Sequence, residues 1–350
     1  MKNKVCMIVP SFSAKGGITS VVKGYKGSVL EEAYEVKYIE TYCEGTKVKK
    51  LFKALKGYNS FRKLIKNDKP DIIHIHSSFG ASFFRKKLFI DLGARKKIPI
   101  INHIHGSEIE KLYVNAPKWK RKIIERTLDK CSLIITLSKE TREKLAVVKT
   151  KTEVEVLSNY STPHPIRFEC RENVVLFLGF ITRLKGCFDI PEVVLNVVNE
   201  FPNVKFILAG VGEDKAIKAI LESKNIANKV EFPGWIQDEK KELVFNKSSI
   251  FFLPSYTEAM PVSILESMGY GLPIVATNVG GIPQLVRDGE NGFLHNPGDC
   301  VEMANSIVRL LKDPNLLKKM GEESYRIALS EYSKDNHINK LMQIYRKVIE

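Results

Sequence analysis

Short, continuous apolar runs alternate along this chain with segments whose apolar residues recur at helical spacing. Residues 4–10 form the first such run, followed by 36–42, 71–76, 99–105, 133–137 and 153–157. The 4–10 run, with little polar alternation, reads as a strand buried on both faces, as in a parallel sheet, and the others as further strands. Between them, residues 47–66 place Val48, Leu51, Phe52, Leu55, Tyr58, Phe61, Leu64 and Ile65 on one side of a helix. The pattern then restarts: 173–178, 204–209, 230–232, 250–253, 273–277 and 291–294 read as a second set of strands, and the remainder is helical through a last helix over 333–350.

Two strand–glycine–helix starts, at 4–17 and 173–189, predict an α/β protein with two doubly wound sheets. At 350 residues the chain is also longer than one core comfortably fills. Ser161-Thr-Pro-His-Pro165 interrupts both helix and strand. The boundary is therefore expected near 165, giving domains 1–165 and 166–332 and a separate terminal helix, 333–350.

Composition sharpens this picture in two places. No run of about 18 uncharged apolar residues is present, and Met1-Lys-Asn-Lys-Val leads into a strand pattern instead of a leader peptide, so a cytoplasmic or peripheral location is expected. Cys6, Cys43, Cys131, Cys170, Cys187 and Cys300 contain no Cys-x-x-Cys and read as buried thiols. The net charge of +15 is uneven: residues 1–165 carry 33 Lys and Arg against 16 Asp and Glu, and the rest 22 against 24. The basic half needs an acidic partner or surface. The outer face of helix 47–66 carries Lys49, Lys50, Lys53, Lys56, Arg62, Lys63 and Lys66, either as a solvated face or as a face for anionic lipid. Basic and aromatic residues mix again at 83–89 and 118–124, which favours an anionic membrane surface as partner.

The candidate chemistry concentrates in the stretch from Ser255 to Thr277. Ser255 to Met260 follow a strand, at the carboxyl end where open α/β sheets bind ligands, and Pro261 suits the first turn of the next helix. Glu258 lies in that loop and Glu266 eight residues on, so the two carboxylates reach different parts of one extended ligand. A carboxylate beside an anion site makes sense if it accepts hydrogen bonds from hydroxyls, which sugars supply. Lys15-Gly16-Gly17 is either a tight turn or a place where amides approach an anion. Arg183 and Lys185 occupy the loop after residues 173–178, where cations can neutralise a diphosphate. His74, His76, His103 and His105 form two His-x-His strand ends. No cysteine or acidic residue completes a zinc set there, and no metal is expected.

Glu258-x7-Glu266 with Gly269-x-Gly271-x-Pro273 and Gly280-Gly281 resembles the signature of the retaining glycosyltransferases of family 4, enzymes of the GT-B fold with two Rossmann-like domains facing a central cleft. The resemblance implies transfer of a hexose or N-acetylhexosamine from a nucleoside diphosphate sugar, UDP before GDP, to a glycan or lipid-linked sugar acceptor in cell-surface polysaccharide biosynthesis. It gives Glu258 the donor sugar hydroxyls, Glu266 the ribose, Arg183 and Lys185 the diphosphate, and His105 of His105-Gly106 the transferred sugar. Gly16 and Gly17 match the glycine loop near the phosphates. Gly212, Met260, Pro261 and Val262 fall among the donor contacts, with Trp235 and Ile236 beside the base. The arginine often found in the family after the first glycine is Phe180 here, with Arg183 three residues away as a substitute. The resemblance also implies no cofactor beyond the donor substrate, and the absence of Asp-x-Asp agrees with metal-independent transfer.

Two other readings remain at this level. A sugar-nucleotide epimerase on the same fold would turn over without an acceptor. A nucleic-acid-binding protein would use the basic half, but no recognition motif is present and no nucleic-acid partner is expected.

Overall fold

A computed structural model describes residues 2–168 and 171–350, so Cys170 lies outside the described residues. The chain divides into two compact units, the first made of 1–159 with 334–350 and the second of 160–333. The division falls earlier than 165 for a physical reason. The amide of Ser161 bonds to the Tyr332 carbonyl (2.7 Å) and that of His164 to the Gly269 carbonyl (2.8 Å), while the His164 ring stacks on Tyr270. The proline-broken segment is thus pinned to the second unit instead of running free.

The first unit holds six parallel strands, β1 (Lys4–Val9), β2 (Glu35–Glu40), β3 (Ile72–Ser77), β4 (Ile100–Ile104), β5 (Leu133–Thr136) and β6 (Val154–Val156), in the order β2-β1-β3-β4-β5-β6. Its two faces differ chemically. Cys6, Ile8, Ile73, Ile75, Ile100, Ile104 and Ile134 pack against Phe61, Phe83, Phe89 and Ile124 from the covering helices. On the other face the register sets His76 beside His103 and His74 beside Met7. Tyr345 and His337 of the terminal helix Lys334–Ile349 cover this polar face. Five of the chain's seven histidines therefore lie in one layer.

The helix Lys47–Asn67 departs from the expected pattern. Only its second half is core: Phe61 and Ile65 are buried, whereas Val48, Leu51, Phe52 and Leu55 are exposed, Phe52 at 68%. Helical spacing identified a stripe, and packing reached only part of it. Not every thiol is in the core either: Cys6, Cys131 and Cys187 are buried, but Cys43 and Cys300 only half-buried.

The second unit repeats the plan with β7 (Val174–Leu178), β8 (Lys205–Ala209), β9 (Val230–Glu231), β10 (Ile250–Leu253), β11 (Ile274–Thr277) and β12 (Gly292–His295), ordered β12-β11-β10-β7-β8-β9. The strand order reverses direction between β7 and β10, and in the first unit between β1 and β3. Loops leaving the carboxyl ends of such neighbouring strands diverge and leave a crevice.

Candidate active site

In the second unit the loops after β7, β10 and β11 close on one another, and two glycines permit it. Gly186 (φ 69°) would carry a Cβ only 1.9 Å from the Pro254 carbonyl oxygen, and Gly280 (φ 60°) one only 1.7 Å from that of Glu258. Any side chain at either position would push the loops apart. This contact carries Lys185, from the short 3-10 turn Arg183–Lys185 after β7, onto the carboxylate of Glu258 after β10. Ser255 donates its hydroxyl to the same carboxylate oxygen (2.9 Å), and the Thr277 hydroxyl holds the Ser255 carbonyl (2.5 Å). The Glu258 side chain is 8% exposed and the Lys185 side chain 26%. The pair sits at the switch point of the sheet with its cationic end toward solvent.

The other expected site residues divide. Arg183 is exposed, with its guanidinium over the Phe188 ring (4.3 Å). Phe180 and half-buried Trp235 lean on each other (5.1 Å, 38°). Ile236 is buried at 8%, and Met260 and Pro261 are buried as well. Pro261 also precedes the helix Val262–Gly269 as its cap, in extended conformation (ψ 118°), and not in the first turn as expected. Val262 is half-buried, and Gly212 is fitted against the Ile181 carbonyl, where a Cβ would come within 2.2 Å. Glu266, in the second turn, is paired with Lys241 (2.6 Å). Burial lifts the hydroxyl of neighbouring Tyr270 to about 12, with the charges of Glu242 and Glu266 adding to it.

Sequence reasoning gave no role to Ser255, Thr277 or Lys241. The first two stand within 255–277, so the strand-end position was a usable signal. Lys241 sits on a different helix, Asp238–Lys247, and nothing in its spacing from Glu266 foretells the pair.

In the first unit, Gly16 (φ 122°) and Gly17 lie at the exit of β1. His105, just past β4, is half-buried and shares a hydrogen bond with His76 (2.8 Å). Burial, with His337 adding, pushes its imidazolium down to about 3, so the ring is neutral at pH 7. His74 bonds to Tyr345 (2.6 Å) and His103 (3.2 Å), the hydrogen-bonded core role. Among the described residues, His74, His76 and His103 are the group that could hold a metal, with one ring nitrogen each within 4.8 Å of the others. His74 stacks on both other rings, and its two nitrogens are already engaged in hydrogen bonds.

A family model described as glycosyltransferase family 4 matches residues 20–160, and one described as glycosyl transferases group 1 matches 163–327. Together they account for most of both units. The chain belongs to glycosyltransferase family 4. Among curated relatives of this family member, a protein of Klebsiella pneumoniae described as an uncharacterized 41.2 kDa protein in the cps region is 26% identical, covering 94% of this chain and 98% of the relative. The Escherichia coli UDP-Gal:alpha-D-GlcNAc-diphosphoundecaprenol alpha-1,3-galactosyltransferase is 24% identical over 90% of this chain and 84% of its own. Sucrose-phosphate synthase from Thermosynechococcus elongatus superposes with a TM-score of 0.83 at 18% identity, over 99% of both chains, a likeness of fold. The fold is GT-B and the chain is a glycosyltransferase, whose relatives fit polysaccharide biosynthesis.

Proposed function

We propose that this glycosyltransferase moves a hexose or N-acetylhexosamine from a UDP-sugar, with retention of configuration and without a metal, to a lipid-linked glycan acceptor in cell-surface polysaccharide assembly. The Lys185–Glu258 pair at the switch point of the second sheet carries the reading. An incoming diphosphate competes with Glu258 for the ammonium. Once released, the carboxylate stays held by Ser255 and can accept hydrogen bonds from the hydroxyls of the donor sugar. Lys185 then faces the charge that grows on the leaving diphosphate, where a fixed cation acts most strongly. The names of the two relatives, one a UDP-galactose-dependent enzyme acting on a diphospholipid-linked sugar and one from a cps region, support the donor and the setting.

UDP should raise the melting temperature and GDP raise it less, because a ligand at 100 times its dissociation constant adds about 2.7 kcal/mol. Acceptor-free hydrolysis of a panel of nucleotide sugars then identifies the sugar. Absence of any shift at millimolar nucleotide would reject donor binding. Conversion of a nucleotide sugar to its epimer without acceptor would replace transfer by the epimerase reading.

An anionic membrane surface belongs to this proposal. Val48, Leu51, Phe52 and Leu55 are exposed at i, i+3, i+4, i+7 spacing beside Lys49, Lys50 and Lys56. The three basic-aromatic segments are joined into one surface: Lys50 and Arg85 both lie over Tyr42 (5.6 and 5.4 Å), and Lys120 over Phe84 (5.3 Å). Apolar side chains entering the headgroup layer and cations at about 1 kcal/mol each favour a surface bearing anionic lipid. No helix among the described residues is long and apolar enough to cross a membrane. Flotation with anionic vesicles should fall with rising salt, and should drop at least about tenfold in Leu51→Asp/Phe52→Asp, a loss of about 1.4 kcal/mol. Equal flotation of wild type and variant would remove the helix from the interface.

A further inference from the structure

The loops after β1 and β3, at the switch point of the first sheet, enclose a cavity of 430 Å³ whose lining includes Gly16 and Gly17 but neither Lys185 nor Glu258. Lys15, Arg85 and Lys86 line it with Gly16, His76 and Ser82, and no carboxylate is among its described lining residues. Lys86 is 2% exposed. Its ammonium bonds to the Thr41 hydroxyl (2.5 Å), which donates onward to the Val9 carbonyl (3.1 Å), and it makes no ion pair among the described residues. The nearby acids are engaged elsewhere: Glu40 pairs with Lys53, and Glu44 accepts the Lys15 amide (2.8 Å). A buried ammonium with only a neutral partner is costly to keep. Burial, with Arg85 adding, pulls Lys86 well below the usual lysine range, while Cys6 opposes this.

Two further features border the same space. His76 is 1% exposed and its Nε2 has no hydrogen-bond partner, while its Nδ1 is shared with His105. The fifteen-residue helix Ala81–Arg95 begins at the cavity wall, with Gly80 as a cap that supplies no side-chain bond and no acidic residue in its first turn. Unpaired amides at a helix start favour an anion. A phosphate would give Lys86 its missing counter-charge and accept from Nε2 of His76. The volume lies within the range of roughly 300–1,000 Å³ for small-molecule sites, room for a phosphate together with part of the group it is attached to. Tyr42, which also lines the cavity, is the ring over which Lys50 and Arg85 of the basic surface lie, so the opening borders that surface.

We propose that this cavity binds a phosphate group of the acceptor, with Lys86 as its buried counter-ion. The word acceptor rests on the transfer reading above, whereas anion binding rests on the cavity alone. The test is calorimetric titration of the full chain with inorganic phosphate and, separately, with phosphatidylcholine vesicles with and without phosphatidic acid. Lys86→Met should weaken phosphate binding at least about tenfold, melt no lower than wild type because it removes an uncompensated buried charge, and keep its thermal response to UDP. Lys86-dependent binding of free phosphate points to a soluble sugar phosphate. The same dependence seen only with phosphatidic acid vesicles points to a lipid headgroup, and either result supports the site. Equal affinity in wild type and Lys86→Met, or no binding of either probe, overturns it. If Lys86→Met does not fold, Arg85→Gln decides in the same way: weakened binding supports the site and unchanged binding overturns it. A chain that binds phosphate through Lys86 but ignores every nucleotide would keep the site while ending the donor reading.

Discussion

Lys185→Ala should lower turnover by about 10²–10³-fold at saturating donor, the scale of removing one preorganised group that meets developing charge. Glu258→Ala should lose at least as much. Arg183→Ala should remain within about threefold, because its guanidinium rests on Phe188 and an exposed cation there contributes little. Lys185 and Glu258 touch, so the double variant should lose much less than the product of the two single losses. Melting curves of all variants separate this from misfolding. A loss at Arg183 equal to that at Lys185 would mean that the guanidinium leaves Phe188 to join the diphosphate. Lys185→Ala at wild-type turnover would remove the ammonium from the reaction.

Mild acid should unfold the first unit. Burial is the leading cause that pushes His74 and His105 down to about 3 and His337 to about 4, and it holds His76 and His103 well below the usual range. Unfolded, the same rings titrate near 6.5, so between about 6.5 and 4 the unfolded chain binds more protons. Stability from this layer is therefore complete above pH 6.5 and lost as pH falls below it. Each ring costs about 1.4 kcal/mol per pH unit, so at pH 5 five rings cost about 10 kcal/mol, comparable with the whole stability of a domain. Circular dichroism should show a cooperative transition between about pH 6 and 5, steeper than a single proton allows. His103→Leu removes one titrating ring, at the cost of its Nδ1 bond to His74 (3.2 Å), and should shift the midpoint to lower pH. A flat signal down to pH 4.5 would show that these rings ionise inside the folded unit.

Local pattern was enough for the elements. Short strand-forming segments between helical ones marked all twelve strands to within a few residues, the central ones by their mostly apolar runs and the edge strands, such as Glu35–Glu40 and Val154–Val156, by β-branched and aromatic residues alternating with charged ones. The Glu258-x7-Glu266 loop and its glycines were equally legible, since Gly186 and Gly280 answer to backbone contacts that no other residue tolerates. Family membership followed from those residues.

What the chain order could not give was distance. Lys185 and Glu258 lie 73 residues apart, and only the parallel pairing of β7 with β10 joins them. Spacing grouped Arg183 with Lys185, yet a three-residue 3-10 turn separates their directions, sending one to Phe188 and the other to Glu258. Ile236 and Met260 both follow strands, yet their burial is set by the loop packing around them, which spacing does not show. The two His-x-His pairs were visible, but their neutrality depends on Tyr345 and His337 closing over them from more than 230 residues away. Hydrophobic periodicity fixes which elements form. Which polar groups share a low-dielectric space is decided by strand register and by the helices that cover it, and that is where charge, and so chemistry, is set.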